Sequence, residues 1–139
     1  MDFVSHSLEE TKNIAESLAR KTPAGSWLLL FGDLGSGKTT FTQYFAAALG
    51  VKRNITSPTF VIAKNYPVDQ DKKFVHIDAY RLNGELDAES IGLSELKKDP
   101  SAYVVVEWPE KILSSLPVNA ITLRFEYVSE NERKISILS

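Results

Sequence analysis

Trp27-Leu28-Leu29-Leu30-Phe31 followed by Gly32-Asp33-Leu34-Gly35-Ser36-Gly37-Lys38-Thr39 is the stretch from which the rest of the chain can be read. Five apolar residues in a row have strand length, and an unbroken apolar run marks a strand covered on both faces. The residues after it match G-x-x-x-x-G-K-[ST] in full. Glycines let the backbone curl so that successive N–H groups converge on phosphate oxygens. Lys38 brings a point charge to the β- and γ-phosphates, and the Thr39 hydroxyl suits Mg2+. Helical spacing resumes over residues 39–49, with Gly50 as the terminator. The loop therefore opens onto a helix N-terminus, whose partial positive charge also favours phosphate. A Gly-rich turn without a ligand is the plain alternative. A buried strand before the loop and a helix after it supply the context that the phosphate-binding reading demands.

On the N-terminal side, Ser7-Leu8-Glu9-Glu10 fits a capping box. Leu8, Thr11, Ile14, Ala15, Leu18 and Ala19 recur at helical spacing, which predicts a helix over residues 8–21, stopped by Pro23-Ala24-Gly25. On the C-terminal side, residues 60–66 and 73–78 read as a hairpin across the polar turn 67–71. Leu86, Ile91, Leu93 and Leu96 punctuate a polar stretch suited to one or two short helices. Tyr103-Val104-Val105-Val106 is a second buried strand, ending in Glu107-Trp108-Pro109. Ile121, Leu123, Phe125 and Tyr127 alternate with polar residues, and Ile135 and Ile137 continue the alternation after the turn 129–132. Parallel βα units combined with hairpins predict an α/β chain: a three-layer P-loop NTPase fold with a mixed parallel/antiparallel sheet, one domain over residues 1–139.

Composition narrows the function. The chain has 139 residues, 43% hydrophobic and 24% charged, the profile of an ordinary globular domain too short for a separate substrate domain. Its formal charge of −2 and scattered basic pairs argue against a dedicated nucleic-acid binder. With no cysteine, disulfides, thiol chemistry and Cys-ligated zinc are excluded. The N-terminus lacks the basic start and apolar run of a signal peptide. No apolar run approaches the roughly 20 residues that span a bilayer. A soluble cytoplasmic protein without membrane association is expected.

A phosphate-binding loop needs a carboxylate at the end of a neighbouring strand to hold the metal and its waters. Glu107 closes Tyr103–Val106, and Asp78 closes Phe74-Val75-His76-Ile77. The more apolar strand belongs beside the P-loop strand, which favours Glu107 for the metal. Spacing alone leaves open which acid holds the metal and which positions the attacking water.

Four motifs in order, Gly32 to Thr40, Thr56-Ser57-Pro58-Thr59-Phe60, His76-Ile77-Asp78-Ala79-Tyr80-Arg81 and Val106-Glu107-Trp108-Pro109, make the chain resemble the bacterial TsaE (formerly YjeE) family over nearly its whole length. The P-loop is shared by a very large superfamily. The other three motifs, in this order and at this length, are specific. The resemblance implies an ATPase that binds ATP and Mg2+, hydrolyses ATP slowly alone and faster with the TsaB and TsaD proteins. That complex installs threonylcarbamoyladenosine in tRNA, so tRNA is an indirect partner only. It also implies that residues 33–40 (Asp33, Leu34, Gly35, Ser36, Gly37, Lys38, Thr39 and Thr40) and Trp108 contact or border the nucleotide. Thr39 and Glu107 are then metal ligands, Lys38, Asp78 and Glu107 serve hydrolysis, and residues 56–60 resemble a switch. Ser36 stands where many members have Ala, a change that backbone chemistry tolerates. The helix over residues 8–21 is implied as a wall of the adenine pocket.

Other residues carry weaker signals. Thr56 and Thr59 read equally as switch threonines or as a Ser-Pro turn before a strand. His76 shares a strand face with Phe74 and Asp78 and reads as a buried, partnered histidine rather than a catalyst. Arg81 is open between an internal arginine finger and an acid pair; Arg133, on the last hairpin, could approach the nucleotide but reads better as solvent-facing. Two other classes compete. A small-molecule kinase wants an Arg-rich lid, but Arg20, Arg53, Arg81, Arg124 and Arg133 are dispersed. A GTPase-like switch wants an Asn/Thr-Lys-x-Asp guanine reader, and Thr11-Lys12-Asn13-Ile14 lacks the Asp.

Overall fold

The computed structural model describes residues 1–55 and 62–138. The proposed switch at 56–60 and the first residues of the predicted 60–66 strand lie outside them. Seven strands, β1 (Asp2–Ser5), β2 (Trp27–Gly32), β3 (Ala63–Val68), β4 (Lys72–Asp78), β5 (Ala102–Glu107), β6 (Ile121–Ser129) and β7 (Glu132–Leu138), form one sheet. Its order is β1-β7-β6-β2-β5-β4-β3. The four central strands β6, β2, β5 and β4 are parallel, and the flanking pairs β1–β7, β7–β6 and β3–β4 are antiparallel. Helices α1 (Leu8–Lys21), α2 (Lys38–Leu49), α3 (Glu85–Ser90) and α4 (Leu93–Lys97) complete the three layers. Two 3-10 turns, Pro109–Lys111 and Leu113–Ser115, follow β5.

The apolar run of β2 divides its side chains between two cores. Leu28 and Leu30 pack with Ala15 and Ala19 of α1, Phe41 and Phe45 of α2, and Val105 and Leu123. Trp27 and Leu29 face the opposite layer with Val104, Val106, Leu93 of α4 and Ile112. The mixed three-layer fold expected from the sequence is therefore the one formed. None of the helices among the described residues is long and apolar enough to cross a membrane.

Local chemistry sets the helix ends. The Ser7 hydroxyl accepts from the Glu10 amide at 3.1 Å, and the Glu10 carboxylate accepts from the His6 amide at 3.0 Å, one residue earlier than in a standard capping box. Gly50 closes α2 at φ 110, a conformation that glycine adopts without strain.

Two features depart from the sequence reading. β1 was not anticipated: it is a short edge strand with only Ser5 buried, held by pairing with β7 far along the chain. Pro67 and Val68 belong to β3 rather than to the turn, which is confined to residues 69–71. Proline is admissible there because β3 is the outermost strand, where an amide donor is dispensable.

The connection from α4 to β5 is pinned by Asp99. Its Oδ1 accepts from the Ser101 amide at 2.9 Å and hydroxyl at 2.6 Å, while Lys73 Nζ lies 3.1 Å from Oδ2. The Ser101 hydrogen bonds, with Lys73 beside them, hold this carboxyl at about 2, against an ordinary 3.8. The folded chain thus binds fewer protons than the unfolded chain between these values. The stabilisation is complete above pH 3.8 and is lost as pH falls toward about 2. Asp99→Asn is expected to flatten the acid limb of stability in that window, measured by urea unfolding at successive pH values. Variant and wild-type curves of equal slope would refute the assignment.

Candidate active site

The loop between β2 and α2 is shaped by a close approach. A Cβ at Gly32, where φ is +150, would lie 2.7 Å from the Phe125 carbonyl oxygen and 2.8 Å from Ser36 Oγ. Gly37 N-caps α2 at φ 102, and the helix has neither a side-chain cap nor an acidic residue in its first turn. Its first amide groups are left for an anion. They open into a cleft lined by residues of the loop and by Thr40, Asp78, Glu107, Trp108 and Arg133. Leu34, Gly35, Gly37, Lys38 and Thr39 line it; Asp33 does not, and its carbonyl accepts from the Ser36 amide at 3.1 Å. Ser36 faces the other side of the loop.

Lys38 is only 5% exposed, with Nζ donating to the Gly32 carbonyl at 2.5 Å and lying 3.7 Å from the centre of the Trp108 ring. Burial pulls its pKa below the ordinary 10.5, opposed by the negative charges of Glu107, Glu110, Asp78 and Asp33. Trp108 adopts φ 59, unusual for a bulky residue, and meets Tyr80 edge-on at 5.1 Å.

Strand register brings the acids together. Glu107 is aligned with Leu30 of β2 on one side and with Asp78 of β4 on the other, so both carboxylates lie at the C-terminal ends of adjacent parallel strands. Glu107 accepts from the Thr39 hydroxyl at 3.1 Å through Oε1 and 3.4 Å through Oε2, and His76 Nε2 lies 2.6 Å from Oε2. Asp78 Oδ1 accepts from the Tyr80 amide at 3.1 Å. β5 does pair with β2, as its apolar character suggested. Among the described residues, no three His, Cys, Asp or Glu side chains gather into a metal cage. Thr39 and Glu107 offer hard oxygens from two side chains, a donor set that fits Mg2+ completed by phosphate oxygens and water.

Arg133 departs from the sequence reading. It is not directed at solvent. Its Nη1 donates to the carbonyls of Ser129 at 2.6 Å and Glu132 at 2.9 Å, and its Cγ would contact a Cβ at Gly37 at 3.7 Å. The signal was present: Arg133 is two residues from buried Ile135 on a strand, so it shares the inward face. Arg81 is exposed just past β4 and does not line the cleft.

Behind Gly37 and Thr40 the cleft adjoins a second pocket, formed by Ser7, Leu8 and Thr11 at the start of α1 and by Phe125, Glu130, Asn131, Arg133 and Ile135 of the last hairpin. Ser36 also borders it, but its hydroxyl is buried beneath the loop against Gly32, without a hydrogen-bond partner in the protein.

The sequence model of the family described as "Threonylcarbamoyl adenosine biosynthesis protein TsaE" matches residues 5–135. The chain is 40% identical over 128 residues to the tRNA threonylcarbamoyladenosine biosynthesis protein TsaE of Bacillus subtilis, covering 92% of this chain and 78% of that one. To its counterpart in Treponema pallidum it is 32% identical over 137 residues, 99% of both chains. The crystal structure of Bacillus subtilis YdiB superposes with a TM-score of 0.78 at 34% identity, covering 99% of this chain and 83% of that one.

The glycine geometry is testable without any ligand. Gly37→Ala meets only ordinary contact and should cost about 1–2 kcal/mol for the left-handed backbone alone. Gly32→Ala adds a collision with main chain and should cost clearly more in urea unfolding. Equal costs would mean that the approach of Phe125 does not constrain the loop.

Proposed function

The chain belongs to the TsaE family, which acts in tRNA threonylcarbamoyladenosine biosynthesis, and from that premise we propose that it is a Mg2+-dependent ATPase working in the cytoplasm with the TsaB and TsaD proteins. The observation that carries this reading is the convergence of Lys38, Thr39, Glu107 and Asp78 around the uncapped N-terminus of α2. Each group has a role that its chemistry suits. The loop amides and the helix N-terminus bind the phosphate chain. Lys38 leaves the Gly32 carbonyl and the Trp108 ring to neutralise β- and γ-phosphate oxygens. Thr39 and Glu107 would hold Mg2+, which would supply charge neutralisation to the phosphates when bound. Asp78 is less buried than Glu107 and stands beside it, where it can orient a water toward the γ-phosphate.

The second pocket suits the base and ribose. It adjoins the phosphate cleft at Gly37, Thr40 and Arg133, which line both. With the start of α1 as one wall, it agrees with the place the family resemblance implies for adenine. A net charge of −2 supports a division of labour in which partner proteins handle the tRNA. Leu34, 90% exposed, and Tyr80, 58% exposed, give the mouth of the cleft an apolar rim suited to a protein partner.

Two experiments test the proposal. Asp78→Asn should lower ATP hydrolysis about 100-fold or more, the scale of lost acid–base assistance, with Mg-ATP affinity nearly unchanged in calorimetry. Glu107→Ala should instead raise the Mg2+ requirement, and the opposite pattern would exchange the two roles. Multiple-turnover threonylcarbamoylation of tRNA by TsaB and TsaD should need this protein and its intact Lys38. Equal product yield without it would defeat the proposed role.

A further inference from the structure

His76 is one of two histidines in the chain and is 0% exposed. It sits mid-strand in β4 among Phe74, Val75 and Ile77, where a β-branched apolar residue would fill the space without a polar atom to satisfy. A buried imidazole in such a strand is costly unless both nitrogens are engaged. Only one is: Nε2 meets Glu107 at 2.6 Å, while Nδ1 is buried with no hydrogen-bond partner. A carboxylate oxygen accepts, which makes Nε2 the donor of this bond; with no acceptor beside it, Nδ1 carries no proton in the neutral imidazole. Core packing gives no reason to keep that arrangement. The contact with Glu107 does.

The geometry says what the contact achieves. Glu107 is 4% exposed and carries its carboxylate on a side chain with three rotatable bonds. Thr39 approaches Oε1 more closely, at 3.1 Å, and His76 takes Oε2. Two donors on two different oxygens define the plane of the carboxylate, which a single hydroxyl would leave free to turn. Thr39 reaches it from α2 and His76 from β4, so the group is fixed between the loop that takes phosphate and the strand that carries Asp78.

We infer that His76 is a positioning residue: by donating from Nε2 to Oε2, it orients the Glu107 carboxylate so that, with Thr39, it presents oxygen to a divalent cation. This rests on the reading of Glu107 as a Mg2+ ligand. Carboxylates that bind metals are commonly held by such outer hydrogen bonds, whose removal costs about 10–100-fold in metal affinity.

The experiment compares His76→Leu, His76→Asn and His76→Gln with the wild type, by calorimetric titration of ATP with and without Mg2+. His76→Leu should weaken Mg2+-dependent ATP binding about 10–100-fold. Binding of metal-free ATP should not change. His76→Gln, whose amide nitrogen reaches as far as Nε2, should restore most of the loss; His76→Asn, shorter by one bond, should not. Wild-type Mg2+ dependence in His76→Leu, or an equal loss of metal-free binding, overturns the inference. Wild-type protein whose ATP binding is indifferent to Mg2+ overturns the reading of Glu107 and the inference with it. If His76→Leu does not fold, the Gln and Asn variants carry the comparison. A further readout needs neither variant nor metal: 15N resonances of the wild-type imidazole should show a protonated Nε2 and a bare Nδ1. The opposite tautomer refutes the proposed bond.

Discussion

Parallel strands send their C-terminal ends to the same side of a sheet, and here β2, β5 and β4 do so in a register that aligns Leu30, Glu107 and Asp78. The rest of the site depends on that alignment. β2 must continue into the loop whose glycines turn it toward α2, and β5 must lie immediately beside it to bring Glu107 under Thr39. Sliding β5 by one residue would invert its faces, sending Glu107 into the opposite core and an apolar side chain to Thr39. The two cores resist such a slip, because Leu28, Leu30 and Val105 are buried against α1 and α2 while Leu29, Val104 and Val106 are buried on the other side. Site geometry is thus enforced by packing far more extensive than the site itself.

What that packing cannot supply is satisfaction of the polar groups placed at its edge. Lys38, Glu107 and His76 are all buried, and each would be destabilising alone. They are held as a connected set with Thr39: hydroxyl and imidazole on the carboxylate, and the lysine on a main-chain carbonyl and an aromatic face. Two atoms of the surroundings remain unsatisfied, Ser36 Oγ and His76 Nδ1. The first is packed beneath the loop against Gly32, whereas the second is a standing cost tied to the orientation of Glu107.

Elements marked by local chemistry were legible in the sequence. The bounds of α1 follow from Ser7, Glu10 and the turn after it, and β2, α2 and β5 follow from apolar runs bracketed by glycine or a strand-end acid. Most of the candidate site was legible too, since motif spacing locates Lys38, Thr39, Asp78 and Glu107. The failures share a cause. β1 has almost no buried surface of its own and exists because β7 is available to pair with it, which no local pattern records. Arg133 reads as solvent-facing when its strand phase with the buried Ile135, which points inward, is not weighed. The link between His76 and Glu107 depends on the neighbourhood of β4 and β5, across many intervening residues; in the sequence His76 reads only as a buried, partnered histidine, which does not say which group is the partner.

Trp108 brings main-chain strain into the same balance. A tryptophan at φ 59 just before proline occupies a conformation costing about 1–3 kcal/mol, sustained only where its surroundings over-determine it. Those surroundings are Tyr80, edge-on to the indole, and the Lys38 ammonium over its face. A cation on an indole face is worth about 0.5–2 kcal/mol, more as water is excluded, so the two magnitudes are comparable. The dependence runs both ways. Lys38 tolerates burial because the ring and the Gly32 carbonyl replace part of its hydration, and Trp108 holds its backbone because the lysine rests on it. Neither residue's conformation is explained by its own neighbours in sequence, and removing either side chain withdraws a compensation from the other.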